Sequence, residues 1–322
     1  MHTTSGNVES AIVEVRKMLS SKQYSQQGAI SILYELNRRG VKAPSVSTIN
    51  RILKKHDLVG GKKKKYTKTK EYPVHYYDVQ QMDLIGPRYL KGGFKYYIYT
   101  IIDKNNHMAG VYPIQDKSAK SIVPCTVDFW SAYQMPDYLQ MDNELSFRGS
   151  NRHPRGLGLL MRIAISNRVT PMFIPVAEPW RNGVIEKFNN TVQSKFLDQP
   201  FTSLDELQLK AKDFTIFHND NHRYSAQNNK TPNEIVEKME YLSRLEKIID
   251  LAERPYVDKG CLIFIRFIRS DLKLNILNSS FQVQEKLIYS YVEAIIQIEK
   301  HLLIVKHMGV VYHCFEFAMP MS

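Results

Sequence analysis

Two apolar, strand-like runs in this chain of 322 residues end at an aspartate: VQQMDLIG at Asp83 and YLQMDNE at Asp142. Polar or glycine residues follow each, so each acid sits where a strand runs out at a sheet edge. A third acid, Glu186 in WRNGVIEKFNNT, lies among Val184, Phe188, Val192 and Phe196, whose spacing of four predicts a helix. A chain that must gather strand ends and a helix at one edge is constrained to an α/β core. Carboxylates gathered there suit hard divalent cations such as Mg²⁺, which bind through a few carboxylates plus substrate phosphates. Two such ions about 3.5–4 Å apart activate a water or hydroxyl and steady the leaving oxygen of an in-line displacement.

The intervening segments extend this pattern. HYYDVQQMDLIG, FKYYIYTIID and HMAGVYPI read as three strands, punctuated by Gly92-Gly93 and Asn105-Asn106. SAKSIVPCTVDFWSAY reads as a helix, PDYLQMD and VTPMFIP as two short buried strands, and the Glu186 segment as the next helix. This order predicts a mixed five-stranded sheet with flanking helices over residues 73–240. RGSNRHPRGLGLL (148–160) reads as a flexible insertion whose Arg152 and Arg155 close over a polyanion. Helices are predicted at 203–220 and 231–253, the latter including a connector at 241–255. Residues 256–322 are dense in β-branched and aromatic residues with short breaks, which predicts a small all-β module, mildly basic through Arg266, Arg269, Lys273, Lys286 and Lys306.

Charge separates the N-terminus from the rest. Net charge is +12, and residues 1–71 alone hold 15 Lys or Arg against 5 Asp or Glu, the footprint of a polyanion binder. Apolar spacing predicts helices at 8–20, at 28–39 with a stop at Gly40, and from a Ser45 cap to about His56. The third would turn Ser47, Asn50, Arg51, Lys54 and Lys55 outward. Two short helices, a turn and a basic third helix read as a helix-turn-helix unit over residues 1–59. Ser47, Asn50 and Arg51 are then placed for base edges, Lys54 and Lys55 for phosphates. A basic linker, residues 60–72, adds Lys62, Lys63, Lys64 and Lys65.

QMDLIG, QMDNE and NGVIEKFNNT together resemble the first Asp, second Asp and Glu of the DDE transposases and retroviral-type integrases. NHRYSAQNNKTPNEIV (221–236) is similar to the segment after the catalytic core in bacterial insertion-sequence members. The likeness covers roughly residues 70–240 and is most specific around Glu186. It implies an RNase H-like core, an SH3-like C-terminal barrel, and catalysis by Asp83, Asp142 and Glu186 holding two Mg²⁺ ions, with Mn²⁺ as a substitute. It further implies double-stranded DNA as partner, both terminal inverted repeats and target, and an assembly of at least two subunits on paired ends. Asn190 and Lys195 become DNA contacts on the Glu186 helix, and a prokaryotic, nucleoid-associated cytoplasmic location follows. The family's usual spacing would select Glu178, eight positions before Glu186. We take Glu186, because it has the matching neighbours Asn182, Gly183, Val184, Ile185 and Asn190. Where relatives carry Lys or Arg, this chain has Gln193.

Other classes fare less well. No apolar run approaches the ~20 residues of a membrane span, and the N-terminus lacks a signal pattern. Cys125, Cys261 and Cys314 are far apart and form no zinc or disulfide framework. Asp103 and Glu144 read as a turn cap and a surface acid. His107, His153, His218 and His222 lack metal-ligand spacing. A DNA-binding regulator descended from a transposase, with catalysis lost, is the principal rival. An RNase H-like nuclease acting on hybrids or junctions is a third reading.

Overall fold

The computed structural model describes residues 6–59, 76–149, 152, 153, 155–239, 245 and 254–320. Its N-terminal region is three helices, α1 (Gly6–Ser21), α2 (Ala29–Arg38) and α3 (Val46–Lys55). They close on their own core of Ile12, Val15, Ile32, Leu36, Ile49, Ile52 and Leu53. The local signals act as expected. Ser45 Oγ accepts from the Thr48 N–H at 3.2 Å. Gly40 takes φ +74°, letting the N–H groups of Gly40 and Val41 return to the carbonyls of Asn37 and Leu36 at 3.0 Å each.

The loop between α1 and α2 seats this unit on the rest of the chain. Tyr24 is buried against Phe214 and Phe217, with ring centroids 5.2 and 5.9 Å apart. Its carbonyl accepts from His222 Nε2 at 2.9 Å. Gln26 Oε1 accepts from the Arg223 N–H at 2.7 Å, and its Nε2 donates to the Arg223 carbonyl at 3.3 Å.

The core sheet contains β1 (Val79–Tyr89), β2 (Lys95–Asp103), β3 (Ala109–Ile114), β4 (Tyr138–Met141) and β5 (Thr170–Phe173) in the order β3-β2-β1-β4-β5. β1, β2 and β3 are antiparallel neighbours; β4 runs parallel to β1, and β5 parallel to β4. The helices are α4 (Ala119–Ala132), α5 (Leu145–Arg148), α6 (Leu159–Ser166), α7 (Gly183–Thr191), α8 (Leu204–Asn221) and α9 (Pro232–Val236). Strand alternation divides the core in two. Tyr99 and Ile101 pack with Ile122, Phe129 and Trp130 of α4 and Leu160 of α6. Ile98 and Ile102 pack on the other face, with Ile185 and Phe188 of α7 and Phe214 of α8. Three antiparallel strands followed by two parallel ones, helices on both faces, is the RNase H-like arrangement.

The sheet continues past this core. After Pro255 come β6 (Cys261–Phe267), β7 (Lys273–Ile276), β8 (Ser279–Gln282), β9 (Tyr291–Gln297), β10 (Leu302–His307) and β11 (Val310–Glu316). β6 pairs parallel to β5, Met172 with Ile263 and Phe173 with Phe264. β9, β10 and β11 follow antiparallel, giving one nine-stranded sheet. The C-terminal region is β-rich, as its composition indicates, but the boundary at residue 256 lies inside a continuous sheet. The stacked rings of Phe173 and Phe264, 4.8 Å apart, sit across that boundary. A parallel pair between residues some 90 apart leaves no local trace in the sequence.

Two other expectations change. The 148–160 segment ends in helix α6, whose apolar run LLMRIAIS is buried. Its two ends are pinned: Leu157 is buried, and a Cβ on Gly158 would lie 3.1 Å from the Gly149 Cα. The helix foreseen over 231–253 is the short α9; of the connector 241–255, only Leu245, Arg254 and Pro255 fall within the described residues.

Candidate active site

Asp83 lies mid-way along β1, paired with Thr100 of β2. Gln81 and Asp83, two residues apart on one strand, project to the same face, and both reach α7. Gln81 Oε1 accepts from the N–H groups of Val184 and Ile185 at 3.1 and 3.0 Å. A helix start leaves such groups without intrahelical partners, so a side chain from the sheet caps α7. Asp83 Oδ2 accepts from Asn189 Nδ2 at 2.8 Å, and Asn189 Oδ1 accepts from Thr100 Oγ1 at 2.8 Å. Asn182, at the head of α7, is buried and accepts from Gln140 Nε2 of β4 at 2.8 Å. The strands therefore fix both the height and the rotation of the helix that carries Glu186.

Asp83, Glu186, Asn189, Asn190 and Gln193 line one open cleft of about 400 Å³. Gly86 floors it at φ +134°, where a Cβ would meet Tyr97 at 3.0 Å, next to the register shift between Ile85 and Arg88. Asp142 follows β4, and its Oδ1 accepts from the Glu144 N–H at 2.9 Å. Asp142 is not among the residues lining the cleft, but its charge acts on Asp83. Burial pushes the Asp83 carboxyl up to about 6, and the charges of Asp142 and Glu186 add to the rise against the N–H groups of Leu84 and Asn189. Burial also raises Asp142, helped by the Glu144 charge and opposed by its N–H and by Lys117.

This accumulation of negative charge is what a cation relieves, and the donors are the hard oxygens that suit Mg²⁺. The three carboxylates are not, however, drawn in to a finished ligand set. Among the described residues, no group of three His, Cys, Asp or Glu stands close enough to hold a metal ion.

Glu178, the rival third acid, is spent elsewhere. Both its oxygens accept from Tyr291 Oη of β9 at 2.8 Å, and Arg181 Nε stands 3.1 Å from its Oε2. Asp103 is a turn cap, buried and accepting from the N–H groups of Asn105 and Asn106 at 2.8 and 3.0 Å; burial raises it to about 6. Glu144 pairs with Lys117 at 2.8 Å. His218 and His222 are buried, and His107 stacks on Tyr224 with centroids 4.2 Å apart.

The basic and polar residues read as DNA contacts divide. Ser47, Asn50, Arg51, Lys54 and Lys55 are all exposed on α3, although Lys55 pairs with Glu9 at 2.7 Å. Asn50 shares a second cleft, about 390 Å³, with Thr191, Ser194 and Lys195 beyond the end of α7. Burial and the charge of Arg16 lower the Lys195 ammonium. Asn190 is exposed and lines the cleft with Asp83 and Glu186. Arg152 is exposed, whereas Arg155 donates to Ser279 Oγ at 2.8 Å and lies over the Phe317 ring at 4.4 Å. Arg155 thus ties its segment to the C-terminal strands and does not close over the site. Lys62, Lys63, Lys64 and Lys65 lie outside the described residues. Sequence reading missed Gln81, Thr100 and Asn189. Thr100 and Asn189 look like ordinary strand and helix residues; only the strand alternation that puts Gln81 on the Asp83 face hinted at its part.

Residues 167–232 match the family model described as integrase core domain, a span that contains α7 and Glu186. No curated protein matches the chain. Solved structures with likeness include the HTLV-2 integrase catalytic core domain in complex with magnesium. Its trimeric form is 16% identical, with TM-score 0.38, over 49% of this chain and 95% of that one. The dimeric form is 17% identical, with TM-score 0.37, over 49% and 94%. The catalytic core domain of BIV integrase is 15% identical, with TM-score 0.38, over 50% and 94%. The family match, set beside the strand order, supports a DDE-type integrase or transposase and a function in DNA integration. Among the described residues, no helix is long and apolar enough to cross a membrane.

Proposed function

We propose that this protein is a transposase that cuts and joins DNA at the Asp83, Asp142 and Glu186 carboxylates. The observation that carries this is the convergence of Asp83 and Glu186, about 100 residues apart in sequence, on one cleft, where burial raises Asp83 and the charges of Asp142 and Glu186 add to the rise. The three acids are the residues that would hold Mg²⁺, two ions in all. Bound there, the metal would lower the pKa of an attacking water or 3′-hydroxyl and stabilise the leaving oxygen. The chain's own part is to hold the carboxylates: Asn189 fixes the Asp83 plane, Gln81 fixes α7, and the Glu144 N–H fixes Asp142. Asn190 at the end of α7 and Gln193 in the turn just after it line the cleft and contact the DNA strand. The absence of Lys or Arg at Gln193 moves part of the phosphate binding to Lys195 and to Arg51, Lys54 and Lys62–Lys65. The α1–α3 unit reads terminal repeats as a helix-turn-helix module, and two copies pair two DNA ends.

The test is Mg²⁺-dependent cleavage and joining of labelled DNA carrying the ends that flank the native gene, comparing Glu186→Gln with Glu178→Gln. Glu186→Gln is expected to lose several kcal/mol of transition-state stabilisation, about a thousandfold in rate, with DNA binding kept. Glu178→Gln is expected to retain product. Loss with Glu178→Gln alone would reassign the third acid. A parent that binds the ends tightly but never cuts them would favour the transposase-derived regulator.

A further inference from the structure

The C-terminal strands send one guanidinium into the loop that carries Asp142. Arg266 stands near the end of β6, just past the two residue pairs that join β6 to β5. Its Nη2 donates to Asn143 Oδ1 at 2.8 Å, and its Nη1 to the carbonyls of Ile174 and Ile265 at 3.1 and 2.9 Å. Asn143 Nδ2 donates to the same Ile174 carbonyl at 2.8 Å. Ile174 in turn donates its N–H to the Met141 carbonyl at 3.0 Å, the last residue of β4. The ring of Phe264 lies 5.0 Å from the guanidinium. This closed set of hydrogen bonds joins the ends of β4, β5 and β6, and Asn143 is the residue directly after Asp142.

We propose that Arg266 is a positioning residue for Asp142, so that the C-terminal strands form part of the catalytic wall. The inference rests on the reading of Asp142 as a catalytic carboxylate. The geometry requires a fork. One arm of the guanidinium reaches a side-chain amide and the other two carbonyls, a set of directions that the single point charge of lysine does not reproduce. Without it, Asn143 keeps only the Ile174 carbonyl, and the loop that carries Asp142 loses its tie to β6. Groups that orient a metal-binding side chain without touching the metal change affinity or activity by about 10–100-fold when removed.

The experiment compares full-length parent, Arg266→Ala, Arg266→Lys and Asp142→Asn, with exposed Arg269→Ala as the control for lost charge in the same region. Hydrogen exchange over peptides spanning 139–147 reports the loop directly. The Mg²⁺ concentration giving half of the metal-induced rise in melting temperature reports the site without catalysis. Cleavage of end DNA reports the reaction. Arg266→Ala and Arg266→Lys are both expected to speed exchange at residues 142–144, raise the Mg²⁺ requirement about tenfold or more, and slow cleavage while DNA binding persists. Arg269→Ala is expected to match the parent. Folded Arg266 variants whose loop exchange and Mg²⁺ requirement equal the parent's overturn the proposal. Failure of the underlying reading looks different: Asp142→Asn would respond to Mg²⁺ and cleave like the parent, whatever Arg266 does. Should Arg266→Ala not fold, Arg266→Lys, which keeps the charge and much of the bulk, carries the decision.

Discussion

The two ends of the chain meet the central sheet in opposite ways. The α1–α3 unit brings its own apolar core and touches the rest mainly through one loop, with Tyr24 inserted and Gln26 bonded reciprocally to Arg223. The C-terminal strands have no such independence: β6 is hydrogen-bonded to β5, the Phe173 and Phe264 rings stack across the join, and Arg266 and Tyr291 reach Asn143 and Glu178 of the core. One end is docked and the other is built in. A docked unit can be exchanged with little change to the sheet, whereas a built-in one cannot be altered without disturbing it.

Truncation breaks this comparison most directly. A chain ending at Arg254 leaves the β5 edge bare and takes Phe264 and Phe317 from the shared core, so it is expected to aggregate or lose cooperative melting. A chain starting at Tyr76 is expected to stay folded and unaggregated and to melt cooperatively, about 2–4 °C lower for the loss of the Tyr24 contact. Circular dichroism and size-exclusion chromatography check both; equal behaviour of the two truncations removes the distinction.

A smaller effect comes from the Asp83 charge. Burial, helped by the charges of Asp142 and Glu186, pushes its carboxyl from the ordinary 3.8 up to about 6. The folded state therefore holds the proton more firmly, and stability present below pH 4 is lost as pH rises through about 6. Asp83→Asn in metal-free buffer is expected to stabilise the protein at pH 7 by about 1–2 kcal/mol after solvent screening, and hardly at pH 4. If the C-terminal strands are one unit with the core, hydrogen exchange slows in β9 and β10 together with β1, but not in α1–α3.

The smallest expected effect concerns the docking loop. Gln26→Ala removes two hydrogen bonds to Arg223, about 1 kcal/mol, and is expected to speed tryptic cutting at Lys22 about fivefold. Exchange inside α1–α3 should not change. Slowed cutting, or loosened helices, would mean that the unit depends on the core for its fold.

These contrasts follow what the sequence makes legible. The α1–α3 boundaries could be read because caps and apolar spacing are local: Ser45, Gly40 and the Ile49, Ile52, Leu53 stripe lie within a few residues of what they control. Asp83 and Asp142 were singled out for the same reason, as ends of apolar runs, and Glu186 by its immediate neighbours. Asp142 does follow β4, whereas Asp83 lies mid-way along β1, which runs on to Tyr89 because the apolar Leu84 and Ile85 continue the strand. The join of β5 to β6 was not legible, since β-branched segments announce strands but not their partners. Helix α6 was hidden for another reason. Its run LLMRIAIS is apolar but for Arg162 and the terminal Ser166, and Arg162 is itself buried, so it has no polar face to mark a period, and the glycines before it read as a loop. Arg266 looked like surface charge and Arg155 like a contact to a polyanion, because nothing in a sequence separates a guanidinium facing solvent from one bonded to groups across the chain.

The double attachment of β1 to α7 has a mechanical meaning. A rod held at one point can swivel or slide, and a rod riveted at two cannot. Gln81 grips the start of α7 at Val184 and Ile185, and Asp83 grips it again at Asn189. Glu186 falls between the rivets. Strand and helix therefore move as one rigid link, and the gap between Asp83 and Glu186 stays fixed. Asp142 lies outside that link, on a separate loop, so its place is set by the bonds of that loop to Glu144 and, through Asn143, to Arg266.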